Sequence, residues 1–358
     1  RRLAESAYIY PVLLKGYNFG SGQCRVKEEI VKILVTGGTG FTGSHLVERL
    51  ISRGHEVSVL DNQKGIAFES LQQKGAKISI GSVTDDSLLK SVIPGCEVIF
   101  HLAAAFRKIN LPKHTYWNTN VTAMRRLLEI ASESGVRKIV YCSTQGVHGN
   151  VDNPPGDENT PIKPEDYYQF TKYEGEKVTA DFINKGMDIT TLRPTAIYGP
   201  GDPGRFLMLF RQVKKGMFPF FGKGAALYHP LYIDNFVDAF ELAMQKPAGK
   251  GQTYIIADDK YYTIEEIVRK IARIMNVDLK VLHLPFWPLY IISAMVEFAF
   301  KPFPVDPPLF RRRADWFRQN RAFKISKAAR DLDYKPGVDL DAGLKKTYEW
   351  YLANGYLR

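Results

Sequence analysis

Short apolar, β-branched runs alternate with stretches of helical period along the first 195 residues. Residues 31–36, 56–60, 77–80, 97–102, 138–142 and 188–193 read as strands, and 42–53, 85–92, 115–134 and 167–184 read as helices. Strands separated by helices of this length cannot be joined by hairpins, so they must pair in parallel through crossovers. The pattern predicts an α/β fold built on a doubly wound parallel sheet of the Rossmann type. Beyond residue 195 the rhythm changes to Gly/Pro-rich loops and short helices. That change predicts a smaller C-terminal substrate-binding lobe over the carboxyl edge of the sheet, where open α/β sheets bind their ligands.

Two segments stand outside this rhythm. Residues 1–30 have weak periodicity and begin at Arg1 rather than Met, with no signal peptide visible, so they are set aside as an N-terminal extension of uncertain order. The run "LPFWPLYIISAMVEFAF" at 284–300 is apolar almost throughout, yet it holds prolines and Glu297 and is too short to span a bilayer. A lid or core element over an apolar pocket is the first expectation for it, and an interfacial anchor making peripheral membrane contact is the second.

Composition alters this picture little. With 358 residues the chain has room for one large domain and an appended lobe, and a 45% apolar content is enough to bury both. Cys24, Cys96 and Cys142 are too widely spaced for a CxxC pair and suggest no disulfide framework, which suits a cytoplasmic protein. The net charge of +11 is scattered, with clusters only at Lys214-Lys215 and Arg311-Arg312-Arg313 and no interleaved aromatics. Nucleic acid is therefore not an expected partner, and nothing suggests a metal.

The chemistry begins at "TGGTGFTG", residues 36–43, between a strand and a helix. Gly37, Gly40 and Gly43 allow a tight turn and let a pyrophosphate approach without meeting a Cβ; Gly38, Gly40 and Gly43 satisfy the same GxGxxG spacing. The helix that follows offers its free N–H groups to the phosphates. Asp61 ends the second strand, eighteen residues beyond Gly43, where a carboxylate accepts bonds from ribose hydroxyls and repels a 2′-phosphate. The expected cofactor is NAD, with Lys64 leaving a narrow opening for NADP. Residues 31–195 thus read as the NAD-binding domain and 196–358 as mainly the substrate-binding lobe.

Further along, "YCSTQGVHG" (141–149) ends a strand in hydroxyls, and Tyr168 and Lys172 in "DYYQFTKYEGEK" stand four apart, on one face of a helix. Tyrosine ordinarily titrates near about 10, too high for a base at neutral pH, and an ammonium one turn away favours the phenolate. Thr144 or Ser143 could then bond the reacting oxygen. Tyr167 and Tyr173 lie close by, but only Tyr168 combines lysine at i+4 with a hydroxyl 24 residues upstream.

Taken together, "TGGTGFTG", "VLDN", "GSVTD", "VIFHLAAA", "NTNVTAMRRLLEIA", "YCSTQGVHG", "YYQFTK", "LRPTAIYGPGD" and "LYIDNFVDAF" resemble, in order, the landmarks of the extended short-chain dehydrogenase/reductase superfamily, the NAD-dependent epimerase/dehydratase group. The resemblance runs over about residues 31–350. It implies that Phe41 and Thr42 meet the pyrophosphate, that Ser82 and Val83 flank adenine, and that Leu102, Ala103, Ala104 and Thr119 line the cofactor. Asn62 and Pro194 complete the implied contacts, and Thr144, Tyr168 and Lys172 match the catalytic positions. It also implies a homodimer through helices 115–134 and 167–184. Two departures stand out: Ser82 replaces the usual Asp, and His148 replaces the Tyr of a "VYG" signature.

The branch is read from the substrate side. Nucleotide-sugar members carry Asn in "RPFNVYG" and an Arg in "RDF" that pairs with the diphosphate; here Ala196 and Tyr228 take those positions. Arg205 or Lys223 could compensate. The "LRPTAIYGPGDP" pattern, the "IDN" ending and the apolar 284–300 run look more like the 3β-hydroxysteroid dehydrogenase-like branch. A reversible NAD-linked oxidoreductase acting on a small-molecule apolar alcohol or ketone is the leading expectation. A nucleotide-sugar epimerase or dehydratase comes second, and a dinucleotide-sensing binding protein third.

Overall fold

Each apolar run found by its period forms a strand because both of its faces are covered. Ile33, Leu34 and Val35 are all buried, on alternate sides, as expected for a central strand of a parallel sheet. In the computed structural model, which describes residues 29–106, 111–300, 303, 305 and 307–357, the strands β1 (Lys32–Thr36), β2 (Glu56–Asp61), β3 (Lys77–Ile80), β4 (Val98–His101), β5 (Lys138–Cys142) and β6 (Ile189–Pro194) pair in parallel. Cys24 and the extension up to residue 28 lie outside the described residues. The order across the sheet is Thr253–Ile256, β6, β5, β4, β1, β2, β3. Successive crossovers therefore change direction between β1 and β4, and a crevice opens at their carboxyl ends, where Gly37 and Leu102 sit.

The seventh strand corrects the pattern reading beyond residue 195. Thr253–Ile256 pairs in parallel with β6, and helix Ile233–Gln245 packs Phe236, Val237 and Phe240 against the same sheet face as helix Phe41–Ser52. Residues after 195 are thus divided between sheet and lobe. The opposite face is covered by helices Asp86–Val92, Ala123–Glu133 and Tyr167–Asn184. The lobe has a core of its own, in which helices Arg205–Val213 and Ile264–Met275 enclose Phe206, Phe210, Tyr228, Ile267 and Ile271.

The helix Phe286–Phe300 corrects the expectation of a core element: among its residues only Ser293 is buried, while Trp287, Met295 and Phe298 are 63%, 66% and 73% exposed. Among the described residues no helix is long and apolar enough to cross a membrane.

Candidate active site

The glycines of the first turn serve different ends. A Cβ on Gly43 would stand 2.1 Å from the Gly37 carbonyl oxygen, and one on Gly38 would stand 2.7 Å from Val59, so the protein's own packing demands both. Gly37 adopts φ +73°, and a Cβ there would press on the Ala103 backbone at 2.9 Å. Gly40 differs. It is exposed, and its nearest neighbour would be the Gly37 oxygen at 3.5 Å, an ordinary contact. The protein's own packing does not demand a glycine there. Gly40 precedes helix Phe41–Ser52 without a side-chain cap, and the first turn, which includes Phe41, Thr42 and Gly43, has no acidic residue. Free N–H groups and the positive end of the helix face a surface a pyrophosphate can reach.

Asp61 ends β2, buried. Its Oδ2 accepts bonds from Thr39 N–H (3.0 Å) and Thr39 Oγ1–H (2.7 Å), so this carboxylate also fastens the glycine turn. The other oxygen has no protein partner among the described residues, which suits a ribose hydroxyl. Lys64 lies over the Phe68 ring at 4.9 Å, and Asn62 is exposed beside it. The Ser82 hydroxyl accepts from Thr84 N–H at 3.1 Å, so the departure from Asp preserves the turn that sets Val83 into the wall. Ala103 N–H donates to Thr36 Oγ1 at 3.2 Å, which holds Leu102, Ala103 and Ala104 along the crevice. Thr119 is half-buried and Pro194 closes β6.

Tyr168 and Lys172 lie on the sheet-facing side of helix Tyr167–Asn184. The helix starts with a capping box in which Asp166 accepts from Gln169 N–H while Gln169 reaches back. Tyr168 is buried, edge-on to Phe106 with ring centroids 5.1 Å apart. Lys172 is 1% exposed, with Nζ 4.3 Å from the centre of the Tyr141 ring and no hydrogen bond from that ammonium to any described residue. The choice between hydroxyls resolves by burial: Ser143 donates to Glu176 inside the protein, whereas half-buried Thr144 accepts from Gly146 N–H (3.0 Å) and keeps its proton to donate. Gly146 packs on Gln169, so Thr144, which caps the turn Gln145–His148 after β5, sits near the start of the helix that carries Tyr168.

Burial draws the Lys172 ammonium down to about 8 from its ordinary 10.5. The unfolded chain keeps this proton to higher pH than the folded one. Stability of the cofactor-free protein therefore rises with pH from about 8 to about 10.5, and below that window the charge opposes folding. Lys172→Met is expected to stabilise the cofactor-free protein at pH 7 by on the order of 2 kcal/mol, and the gain should fade above the window. Urea unfolding of both proteins across pH checks this; a destabilised variant at pH 7 would contradict it.

Behind the site lies a buried network that residue spacing did not announce. Arg193 donates to both oxygens of Glu176, and its remaining nitrogen reaches His148 Nε2 at 3.0 Å. His148 Nδ1 in turn donates to the Thr160 carbonyl at 2.8 Å. Burial beside Arg193 lowers the His148 imidazole to about 4, so it is neutral and accepts from the guanidinium. The departure from Tyr at 148 thus has a structural role. Asn120 was also missed. It sits in a π-helical turn, Asn118–Thr122, where its Oδ1 accepts from Ala105 N–H (2.8 Å) and its amide donates to Thr171 (3.0 Å). It ties the crevice wall to the helix of Tyr168. Sequence period alone cannot show an extra residue within a helical turn.

On the substrate side Ala196 lies in a short strand paired with Pro230–Tyr232, and Tyr228 is buried. Arg205 donates to Tyr228 Oη at 3.0 Å, while Lys223 is exposed. Among the described residues no group of three or more His, Cys, Asp or Glu side chains could hold a metal.

Known proteins place this arrangement. The chain is 27% identical over 332 residues to the sterol-4-alpha-carboxylate 3-dehydrogenase, decarboxylating, of Mus musculus, covering 89% of this chain and 90% of the relative. It is 29% identical over 359 residues, 93% of each chain, to the 3 beta-hydroxysteroid dehydrogenase/Delta 5-->4-isomerase of Mycobacterium tuberculosis. The UDP-glucose 4-epimerase of Thermotoga maritima, solved with UDP-glucose, superposes with a TM-score of 0.74 at 27% identity, over 90% of this chain and 99% of that one. The sequence model of the NAD dependent epimerase/dehydratase family matches residues 33–257, from the first strand through the seventh. That match takes in the parallel sheet, the glycine turn, Asp61, Tyr168 and Lys172, and the chain belongs to the NAD-dependent epimerase/dehydratase family.

Proposed function

We propose that this enzyme is an NAD-dependent oxidoreductase that interconverts an apolar, steroid- or lipid-like secondary alcohol and its ketone. The observation that carries the reading is the substrate side: Ala196 and buried Tyr228 stand where a sugar-nucleotide site needs an amide and a guanidinium. The steroid-acting relatives, which match over nearly the whole chain, support it.

Gly37, Gly40, Phe41, Thr42 and Gly43 would hold the pyrophosphate and Asp61 with Asn62 the adenosine ribose. Ser82 and Val83 would flank adenine, and Leu102, Ala103, Ala104, Thr119 and Pro194 would line the remainder. Held by these residues, NAD would supply the acceptor for the hydride of the carbinol carbon. Thr144 donates a hydrogen bond to the substrate oxygen, and Tyr168 takes the carbinol proton as the hydride leaves the same carbon. Lys172, whose ammonium has no hydrogen-bond partner among the described residues, would hold the nicotinamide ribose, and its charge favours the phenolate. The expected result is NADH formation from an apolar secondary alcohol, with NAD bound at least about tenfold tighter than NADP because Asp61 repels a 2′-phosphate. Calorimetry showing equal cofactor affinities, or a panel of steroid alcohols yielding no NADH, would overturn it.

The apolar face of helix Phe286–Phe300, beside the basic Arg311, Arg313 and Arg318, supports peripheral contact with a membrane from which such a substrate could be drawn. The free thiols of Cys96 and Cys142 suit a cytoplasmic setting. Trp117 and Phe170, exposed together on helices Lys113–Trp117 and Tyr167–Asn184, support a homodimer through that surface. Sedimentation reads both: a dimer should form without lipid, and vesicles should carry the protein down unless Ile291 and Met295 are replaced by glutamate. A monomer, or vesicle binding unchanged by those substitutions, would count against the respective surface.

A further inference from the structure

Phe106 is 65% exposed, yet its ring stands edge-on to that of buried Tyr168, with centroids 5.1 Å apart and planes at 82°. One exposed apolar residue means nothing by itself. This one is fixed relative to Tyr168 from behind. Ala105 N–H donates to Asn120 Oδ1 at 2.8 Å, and the Asn120 amide donates back to the Ala105 carbonyl at 3.3 Å. That amide also donates to Thr171 Oγ1 at 3.0 Å, and Thr171 donates to the Tyr168 carbonyl at 3.0 Å. Asn120 and Thr171 are buried, so water does not compete for these bonds. An unbroken chain of hydrogen bonds therefore joins the residue before Phe106 to the backbone of Tyr168.

The ring also stands where a ligand enters. Phe106 comes five residues after β4, at the carboxyl edge of the sheet, and follows directly on the run 102–105 along the crevice. Ala103, Ala104 and Ala105 carry only methyl groups, so Phe106 is the first bulky side chain along that wall after Leu102. Tyr168 covers one side of it. The rest of its apolar surface is open beside the residue proposed to take the carbinol proton.

We propose that Phe106 is the platform on which the substrate ring bearing the reacting carbon lies, so that the enzyme selects cyclic alcohols and ketones over short open-chain ones. A saturated ring lays several C–H groups against an aromatic face, where weak dispersion contacts add up, and a short open chain reaches fewer of them. The platform rests on the oxidoreductase reading for Tyr168 as the reacting group. The apolar class of the substrate is read separately, since a hexose ring also has a face of C–H groups.

The test measures binding to the full-length NAD-loaded protein by calorimetry, with two matched pairs of probes: a saturated steroid ketone against butanone, and UDP-glucose against UDP. The first of each pair carries the ring that would lie on Phe106, and the second lacks it. Phe106→Ala is expected to weaken at least one ring-bearing probe by about tenfold or more, the worth of an aromatic face covered, and to leave its ringless partner and NAD little changed. Phe106→Tyr, still planar, should keep the affinity, and Phe106→Leu, apolar but not planar, should lose part of it. If Phe106→Ala fails to bind NAD, the contrast between Phe106→Tyr and Phe106→Leu decides. A loss for the steroid ketone supports both the platform and the apolar substrate. A loss for UDP-glucose alone supports the platform and overturns the apolar substrate. A steroid ketone bound equally by all variants, with no loss for UDP-glucose, overturns the platform and leaves the apolar reading standing. Equal losses for ring-bearing and ringless probes, the mark of a side chain that only steadies Tyr168, overturn the platform, as does no binding of either ring-bearing probe.

Discussion

Replacing Tyr168 by phenylalanine is expected to lower turnover by about 10²–10⁴, the range for losing a positioned acid–base group. The ring would remain, edge-on to Phe106 and buried, so packing changes by one oxygen atom only. NAD affinity should therefore survive. Lys172→Ala should harm both, because in the proposed mechanism its ammonium serves cofactor and phenolate together. Tyr167→Phe is the matched control: that ring meets Tyr116 edge-on and Phe170 at a tilt, and loss of its hydroxyl should cost little. Stopped-flow measurement of NADH formation on a verified substrate separates these cases. Full activity in Tyr168→Phe would remove Tyr168 from the reaction.

The second large effect falls on stability rather than on chemistry. Glu176→Ala is expected to lower the free energy of unfolding by about 3–5 kcal/mol, the cost of breaking a buried pair and leaving one charge behind. Arg193 and Glu176 have side chains only 9% and 8% exposed, so the stranded guanidinium would have no water to turn to. Ser143 would lose its acceptor in the same stroke, and His148, which accepts from Arg193, would face a charge no longer balanced. Glu176→Gln should be milder, since an amide oxygen still accepts from Arg193. Chemical denaturation of the cofactor-free proteins reads the difference, and a loss below about 1 kcal/mol would show that the network relaxes or admits water.

These two residues also show what could be read before folding. Tyr168 was legible because Lys172 follows at one helical turn and a hydroxyl precedes it at a strand end, a spacing that survives in one dimension. Glu176 was not. Its partners lie 17 and 33 residues away, on β6 and after β5, and only the adjacency of those strands brings them together. The same adjacency separates Ser143 from Thr144: side by side in the chain after β5, the first is bonded to buried Glu176 and the second to Gly146.

The sequence by itself determined the parallel sheet through β6, the glycine turn and the acid after it. Each of these is local: a period of two or of 3.6, or a turn that only glycine allows. Tertiary structure alone decided the rest. Thr253–Ile256 is four residues long, too short for its period to identify it, and becomes the seventh strand because β6 offers an unpaired edge. Helix Phe286–Phe300 is apolar on nearly every side, so its sequence carries no record of which face is covered, and the fold buries only Ser293 of it.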